Sequence, residues 1–134
     1  MSGSAHVIRL PVKAMTERQL QQAVNDLCKW LKLYHYHTRD SRGSAAGFPD
    51  LVIAGRWILY VELKTERGKL TIDQAAWRDA LIRAGADWRL WRPADWHSGE
   101  IREVLAGLAL PPRTVRGQVI RTAALLPGGT DNDR

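Results

Sequence analysis

Two short apolar runs in the middle of the chain, separated by Gly55-Arg56, constrain the fold most. The runs, residues 50–54 and 57–63, are rich in Val, Ile, Leu and Tyr, which favour strands, and the glycine allows a tight turn. The sequence therefore predicts a β-hairpin. Asp50 opens the first run, and Glu62 interrupts the second near its end. The hairpin thus carries one acid on each strand.

The hairpin brings these two acids near each other. A two-residue turn at Gly55-Arg56 would leave Asp50 one position away from direct opposition to Glu62. One extra turn residue or a bulge would set the carboxyl groups face to face at about 5 Å. Lys64 shares the strand face of Glu62, because side chains alternate along a strand. Leu63 then points to the other face, and its backbone carbonyl stays near the acids.

Two carboxylates at that distance repel each other, and a divalent cation removes the repulsion. Two carboxylates, a backbone carbonyl and waters suit Mg²⁺, for which Mn²⁺ can substitute. Such an ion activates water and polarises a phosphodiester, and Lys64 can orient the water or neutralise developing charge. The spacing is thus typical of a metal-dependent phosphodiesterase. The residues alone also allow a solvated Asp50 and a surface pair of Glu62 with Lys64.

The rest of the pattern predicts an α/β fold, a mixed β-sheet flanked by helices. Capping boxes at Thr16 and Thr71 begin two helices, and Gly85 ends the second of them. The predicted helices cover residues 17–32, 72–84 and 98–108, and the predicted strands cover 33–39, 50–54, 57–63 and 87–92. We interpret residues 1–15 as an N-terminal arm, 16–108 as the folded domain and 109–134 as a partly ordered C-terminal extension.

Composition narrows the class of partner. The chain has 134 residues and a formal net charge of +6, which favours a polyanionic partner, with nucleic acid the first candidate. Its single cysteine, Cys28, excludes an intramolecular disulfide framework and a cysteine-based zinc cluster. No apolar run approaches the length of a membrane span, and the N-terminus has no signal-peptide pattern. We therefore expect a cytoplasmic protein, of cellular or viral origin, that does not bind membranes.

The hairpin and its surroundings resemble the VRR-NUC family of the PD-(D/E)XK nuclease superfamily. The matching stretches are GFPDLV, VELKT, GKLT and QAAW, at residues 47–52, 61–65, 68–71 and 74–77. The resemblance covers about residues 16–107 and implies a restriction-endonuclease-like core with elements in the order αβββαβ. It also implies a Mg²⁺-dependent DNA endonuclease that leaves 5′-phosphate and 3′-hydroxyl ends. Small stand-alone members of bacteria and phages are similar to homodimeric Holliday-junction resolvases, so the resemblance implies a homodimer that acts on branched DNA.

The resemblance assigns roles within the hairpin. Asp50 and Glu62 would bind the metal through their carboxylates, and Leu63 would bind it through its backbone carbonyl. Lys64 would be the catalytic lysine.

Two further catalytic residues are implied outside the hairpin, and each also has an ordinary structural explanation. Glu17 would complete the acidic cluster, directly or through a water, but an acid in the first turn of a helix is favoured anyway. Gln74 would order water or substrate, but it also closes the capping box with Thr71. We expect these two uses of the Gln74 side chain to exclude each other.

Basic and polar loop residues on both sides of the hairpin are candidates for phosphate binding. The DNA-binding candidates are Arg39, Arg42 and Ser44 before the hairpin and Arg67 and Lys69 after it. A solvated loop explains Arg67 and Lys69 about as well. His37 is a weaker candidate. The polar row of the first helix, which includes Arg18, Gln22, Asn25 and Lys29, is expected to be solvated.

Most of the tryptophans are expected to build the core or an interface rather than to stack on bases. This expectation covers Trp30, Trp57, Trp77, Trp88 and Trp91. Trp96, in a predicted loop, stays open.

Three other functions remain compatible with the sequence. The same fold can serve as a catalytically idle nucleic-acid-binding module, which would bind in a salt-sensitive way without turnover. A monomer would act as a flap or nicking nuclease. A ribonuclease is also compatible, because the sequence contains no identifiable reader of the 2′-hydroxyl group.

Overall fold

A four-stranded sheet with helices packed around it forms the body of the protein. The computed structural model describes residues 14–39 and 43–111 and the backbone of 114–115 and 118–119. The elements are α1 (Glu17–Trp30), β1 (Tyr34–His37), β2 (Leu51–Ala54), β3 (Ile58–Leu63), α2 (Ile72–Arg83), β4 (Asp87–Trp91), α3 (Pro93–His97), α4 (Glu100–Ala109), β5 (Thr114–Val115) and β6 (Gln118–Val119). None of the described helices is long and apolar enough to cross a bilayer.

The sheet is mixed, as predicted. Its strand order is β1-β2-β3-β4, in which β2 is antiparallel to both β1 and β3 and β4 is parallel to β3. The parallel pair needs a crossover, which α2 provides. The predicted order αβββαβ is therefore confirmed through β4. Strands β5 and β6 form a separate antiparallel pair.

The hydrophobic core lies on one face of the sheet. Alternate residues of β2 and β3 point into it, as the period of a strand requires. Helix α1 contributes one apolar row, and α4 contributes another. The buried core residues are Leu20, Val24, Cys28, Leu33, Leu51, Ile53, Leu59, Val61, Leu63, Trp91, Ile101, Leu105 and Leu108.

Helix α2 packs less closely against the sheet than α1 and α4 do, since none of its residues is fully buried. It packs on the opposite sheet face through aromatic rings. Phe48 contacts the Trp77 ring edge-to-face at a centroid distance of 5.1 Å, and it contacts Tyr60 in the same way at 6.3 Å. Such pairs add to simple burial, because the positive edge of one ring meets the negative face of the other. Phe48 thereby ties α2 to the hairpin.

Two element ends differ from the sequence prediction. Helix α1 ends at Trp30 rather than at residue 32, and Lys32 adopts a φ of 56° where the chain reverses into β1. Trp30 is 80% exposed, so it does not build the core, and its alternative place in an interface stays a prediction. Strand β1 is also shorter than predicted, since it covers only Tyr34–His37.

The predicted helix over residues 98–108 is observed as α4 (Glu100–Ala109), and an additional short helix precedes it. The short helix α3 occupies a segment that we predicted as a loop, and Ser98 ends it instead of beginning the next helix. Gly99, with a φ of 85°, separates α3 from α4. Trp96 lies in α3 and packs against the core. The prediction that it lies in a loop, where it could stack on bases, is therefore wrong.

Gly47 sits where the loop before β2 touches the start of α2. Its φ is 81°, and a Cβ there would come within 2.3 Å of the Asp73 carbonyl carbon and 2.5 Å of the Gln74 nitrogen. Both atoms belong to the helix backbone, which cannot move aside without shifting α2. Glycine is therefore required for this contact.

We expect Gly47→Ala to lower the free energy of unfolding by roughly 1–3 kcal/mol, because it adds both backbone strain and a clash. Urea denaturation measures the change. Gly107→Ala is the matched control, because no atom lies within 4 Å of the added methyl in α4. That control should raise stability by about 0.5–1 kcal/mol through helix propensity. Equal effects of the two substitutions would contradict this account of the Gly47 contact.

Candidate active site

The hairpin register places Asp50 opposite Glu62. Ala54 pairs with Ile58 and Leu51 pairs with Val61, so the connecting loop has three residues and the next opposed pair is Asp50 with Glu62. The sequence analysis required one extra turn residue for Asp50 to face Glu62, and the three-residue loop supplies it. Trp57, predicted as the first residue of the strand, is the third loop residue.

Docking on α4 fixes the loop. The Arg56 backbone N–H donates to the Leu108 carbonyl at 2.9 Å, and a Cβ on Gly55 would lie 2.3 Å from the same oxygen. The Trp57 indole packs against the core and donates to the buried Asp87 carboxylate at 3.0 Å. The third residue is therefore held by tertiary contacts, which sequence pattern does not reveal.

Backbone contacts on both sides hold Asp50. Its Oδ2 atom accepts the Leu63 backbone N–H at 2.7 Å, and its own carbonyl accepts the Thr38 N–H at 2.8 Å. The Thr38 hydroxyl donates to the Pro49 carbonyl at 2.7 Å. Asp50 is thus fixed relative to both β1 and β3.

Glu62 is the buried acid of the pair, with only 2% of its surface exposed. Burial raises its pKa to about 9, and the Asp50 charge and a hydrogen bond with the Asp50 carboxyl act in the same direction. Lys64 and Glu17 also act on it, the first lowering and the second raising the pKa. The pair therefore favours a proton or a bound cation between its carboxyl groups.

Gln74 makes both contacts that we expected to exclude each other. Its Oε1 accepts the Thr71 backbone N–H at 2.9 Å, and its Nε2 donates to Glu62 Oε1 at 2.9 Å. The expectation is wrong because a side-chain amide has an acceptor end and a donor end, and each can be used separately. The capping box aims the amide N–H at the acid.

Glu17 lies near the pair without joining it as a third ligand. Partial burial and the Asp50 charge raise the pKa of Glu17, and the Lys64 charge lowers it, so Glu17 interacts electrostatically with both groups. Within residues 14–39 and 43–111, no three His, Cys, Asp or Glu side chains are grouped closely enough to hold a metal. A contact of Glu17 with a metal through water stays a prediction.

The donor set nevertheless suits a hard divalent cation. The register offers the Asp50 and Glu62 carboxylates together, and the Leu63 carbonyl belongs to the residue whose N–H already binds Asp50. Few protein ligands are needed, because Mg²⁺ usually keeps several waters.

The described candidates for phosphate binding lie on the loops before β2 and after β3. Arg39, Arg67 and Lys69 are exposed, and Arg42 lies outside the described residues. The Ser44 hydroxyl donates to the Arg39 carbonyl at 3.2 Å, so in the structure it closes its own loop.

Arg92 is a positioning residue that the sequence analysis missed. Its Nη1 donates to the carbonyls of Thr65 at 2.6 Å and Gly68 at 2.7 Å, which fixes the turn between Lys64 and α2. No sequence signal pointed to this role, because the contact joins residues more than 20 positions apart.

Comparison with known proteins identifies the family and supports the fold. A profile of the family described as "VRR-NUC domain" matches residues 4–94. A solved structure described as "VRR_NUC domain protein" is similar with a TM-score of 0.55 and 21% sequence identity. The alignment covers 82% of this chain and all of that one, and it supports the α/β restriction-endonuclease-like fold. No curated protein matches the chain.

We expect Glu62→Gln to stabilise the metal-free protein increasingly as the pH rises from 5 to 9. The folded state holds the Glu62 proton up to about pH 9, whereas the unfolded chain releases it near pH 4.5, so stability falls between these values. Glutamine removes this loss and keeps a donor for Asp50. Urea denaturation in EDTA should show a gain of at least about 1 kcal/mol at pH 8 and little gain at pH 5.

Glu103→Gln is the control, because that carboxylate is exposed on α4. It should leave the pH dependence of stability unchanged. A Glu62→Gln effect of equal size at pH 5 and pH 8 would show that Glu62 does not retain its proton in the folded state.

Proposed function

The chain belongs to the VRR-NUC family, and from this membership we propose that it is a Mg²⁺-dependent DNA endonuclease that hydrolyses phosphodiester bonds. The observation that carries the proposal is the register that sets Asp50 opposite Glu62. Lys64 lies close enough to Glu62 and Glu17 to influence the pKa of both. This arrangement of two acids and an amine fits phosphodiester hydrolysis.

Asp50, Glu62 and the Leu63 carbonyl would hold Mg²⁺ or Mn²⁺. The bound ion supplies Lewis acidity toward a phosphodiester oxygen and toward the attacking water. Gln74 keeps one Glu62 oxygen directed by its amide N–H, and the Leu63 N–H does the same for Asp50 Oδ2. These two hydrogen bonds preorganise the carboxylates before substrate arrives.

Lys64 would supply the positive charge next to the acids. Its ammonium group can donate to a phosphate oxygen or orient the attacking water, and both actions favour the transition state. Glu17 would act from α1 through a water. The products would carry 5′-phosphate and 3′-hydroxyl ends, as the family resemblance implies.

Arg39, Arg67 and Lys69 would bind the DNA backbone near the site. All three are exposed cations, and the net charge of +6 favours a polyanion. Arg42 belongs to the same proposal by its sequence position, and Ser44 would contribute by shaping the loop beside Arg39.

We also propose that the protein is a homodimer that cuts branched DNA. Tyr34 and Ile58 lie on one row across the sheet, paired through Ala54, and they are 86% and 52% exposed. Tyr36, on the next row, is 59% exposed. An apolar face of this kind commonly marks a protein interface. A two-fold dimer would present two sites to the two strands of a junction.

The alternative of an idle binding module is less well supported. A protein that only binds DNA does not need a buried acid opposite a second acid, since that pair costs stability. The choice between DNA and RNA rests on the family resemblance. The cleavage assay below separates these possibilities.

We expect Asp50→Asn to reduce cleavage at least about 100-fold, because the variant keeps the acceptor for Leu63 but loses the charge that holds the metal. The assay uses labelled linear duplex, flap, four-way junction and RNA duplex, each with Mg²⁺ or EDTA. Wild-type protein should cut DNA only with Mg²⁺, and it should prefer the junction.

Asp79→Asn is the matched control, because it removes one carboxylate from the exposed surface of α2. This variant should cleave like wild type. Equal cleavage by Asp50→Asn and wild type would refute the proposed site, and a preference for RNA would refute the proposed substrate.

We expect Ile58→Glu to convert the dimer to a monomer, because it places a charge on the apolar face. Light scattering after gel filtration measures the mass. Leu110→Glu, at a residue that is 55% exposed beyond α4, should stay dimeric. A wild-type protein that is monomeric at all concentrations tested would refute the dimer proposal.

A further inference from the structure

A polar cavity of about 340 Å³ lies between α1 and the edge strand β1. We call it the α1–β1 groove. Its main lining residues are Gln22, Asn25 and Lys29 from α1 and His35, His37 and Arg39 from the strand side. The helical spacing puts the first three on one row, and alternation puts both histidines on one strand face. The two walls therefore come from local periodicity, and their meeting comes from the fold.

The groove is suited to an anion. Lys29 and Arg39 give it two positive charges, and no Asp or Glu is among its described lining residues. The nearest acid on α1, Asp26, accepts a hydrogen bond from Gln22 Nε2 at 2.9 Å. Arg18 continues the same helical row toward the start of α1, because it lies four residues before Gln22.

One wall of the groove also has an unused hydrogen-bonding atom. Asn25 Oδ1 is buried and has no partner among the described residues, so the expectation that this helical row is fully solvated is wrong at Asn25. His35 Nδ1 lies 3.2 Å from the Leu33 carbonyl, which can only accept, so Nδ1 carries a hydrogen. The walls of the groove are therefore polar and carry positive charge, which suits a hydrated anionic ligand.

Both walls of the groove start at the candidate active site. On the strand side, Thr38, next to Arg39, donates its N–H to the Asp50 carbonyl. On the helix side, α1 begins at Glu17, whose pKa is influenced by the charges of Asp50 and Lys64. From Glu17 to Lys29 the helix rises about 18 Å at 1.5 Å per residue. That length corresponds to roughly five nucleotides of duplex at 3.4 Å each.

We propose that the α1–β1 groove binds the sugar-phosphate backbone of the DNA strand beside the scissile phosphate, with Lys29 about five nucleotides from the cut. This inference rests on the proposed function, since it takes the hairpin acids as the cutting site. Lys29 and Arg39 bind phosphates at the two ends of the groove.

The test measures binding of full-length protein to a labelled DNA duplex by fluorescence anisotropy, in EDTA and at several salt concentrations. Lys29→Gln should make the slope of log affinity against log salt shallower by about 0.9, because one phosphate contact is lost. Affinity should fall several-fold at low salt. In the Mg²⁺ assay kcat should be unchanged and KM should rise, because Lys29 is far from the acids.

Arg83→Gln is the matched control. Lys29 and Arg83 are the basic residues of the last turns of α1 and α2, so both substitutions remove one charge and one favourable helix-dipole contact. Arg83→Gln should leave the salt slope unchanged. Equal slope changes for the two variants, or no change for Lys29→Gln, would overturn the groove proposal.

A second measurement tests the position of the contact. Duplexes shortened stepwise beside the cleavage position should lose affinity for wild type once fewer than about five flanking nucleotides remain. Lys29→Gln should be insensitive to the last of these steps. Equal sensitivity of both proteins would overturn the groove proposal.

The outcomes separate this inference from the proposed function. Cleavage by wild type with an unchanged Lys29→Gln slope refutes the groove alone. A shifted slope without any cleavage refutes the proposed reaction and leaves the groove in place as a DNA-binding site.

Discussion

Repulsion between the Asp50 and Glu62 carboxyl groups is the constraint around which this protein is organised. The hairpin forces the two acids into opposition, and burial of Glu62 makes the repulsion stronger than it would be in water. The Leu63 N–H and the Gln74 amide donate hydrogen bonds to the pair, and the positive charge of Lys64 lowers the pKa of Glu62. A structural sheet would avoid such a pair, so the energetic cost is itself a sign of function.

The residues of the family motif that surround the acids serve mainly to hold α2 in position. That helix buries no residue completely, so its position depends on a few contacts at its start. Gly47 allows the backbones to touch, and Phe48 meets Trp77. Gln74 lies in the first turn of α2, where Gly47 makes its contact. The packing of Gly47 and Phe48 therefore also sets the distance from the Gln74 amide to Glu62. Several residues of the family motif are therefore explained by the packing of α2 rather than by direct contact with a reacting group.

Charge is distributed unevenly around the site. The acids are concentrated where the hairpin strands, α1 and α2 meet, whereas cations flank that point on loops and along the α1–β1 groove. A polyanion is thus attracted along the flanks, and the acids repel it unless a cation is bound between them. In the proposed function, this arrangement would couple metal binding to substrate binding.

The sequence alone determined the element types, both capping boxes, the hairpin and the identity of its acids, because these follow from patterns that span a few residues. It also indicated the family, and the fold it implied is the one observed. Only the tertiary structure decided the register of Asp50 and Glu62, the double use of Gln74, the role of Arg92, and the α3 helix that contains Trp96. Each depends on contacts between residues far apart in the chain, such as the docking of the hairpin loop on Leu108. Local periodicity contains no information about such contacts, because their energies exist only once the sheet and helices have packed together.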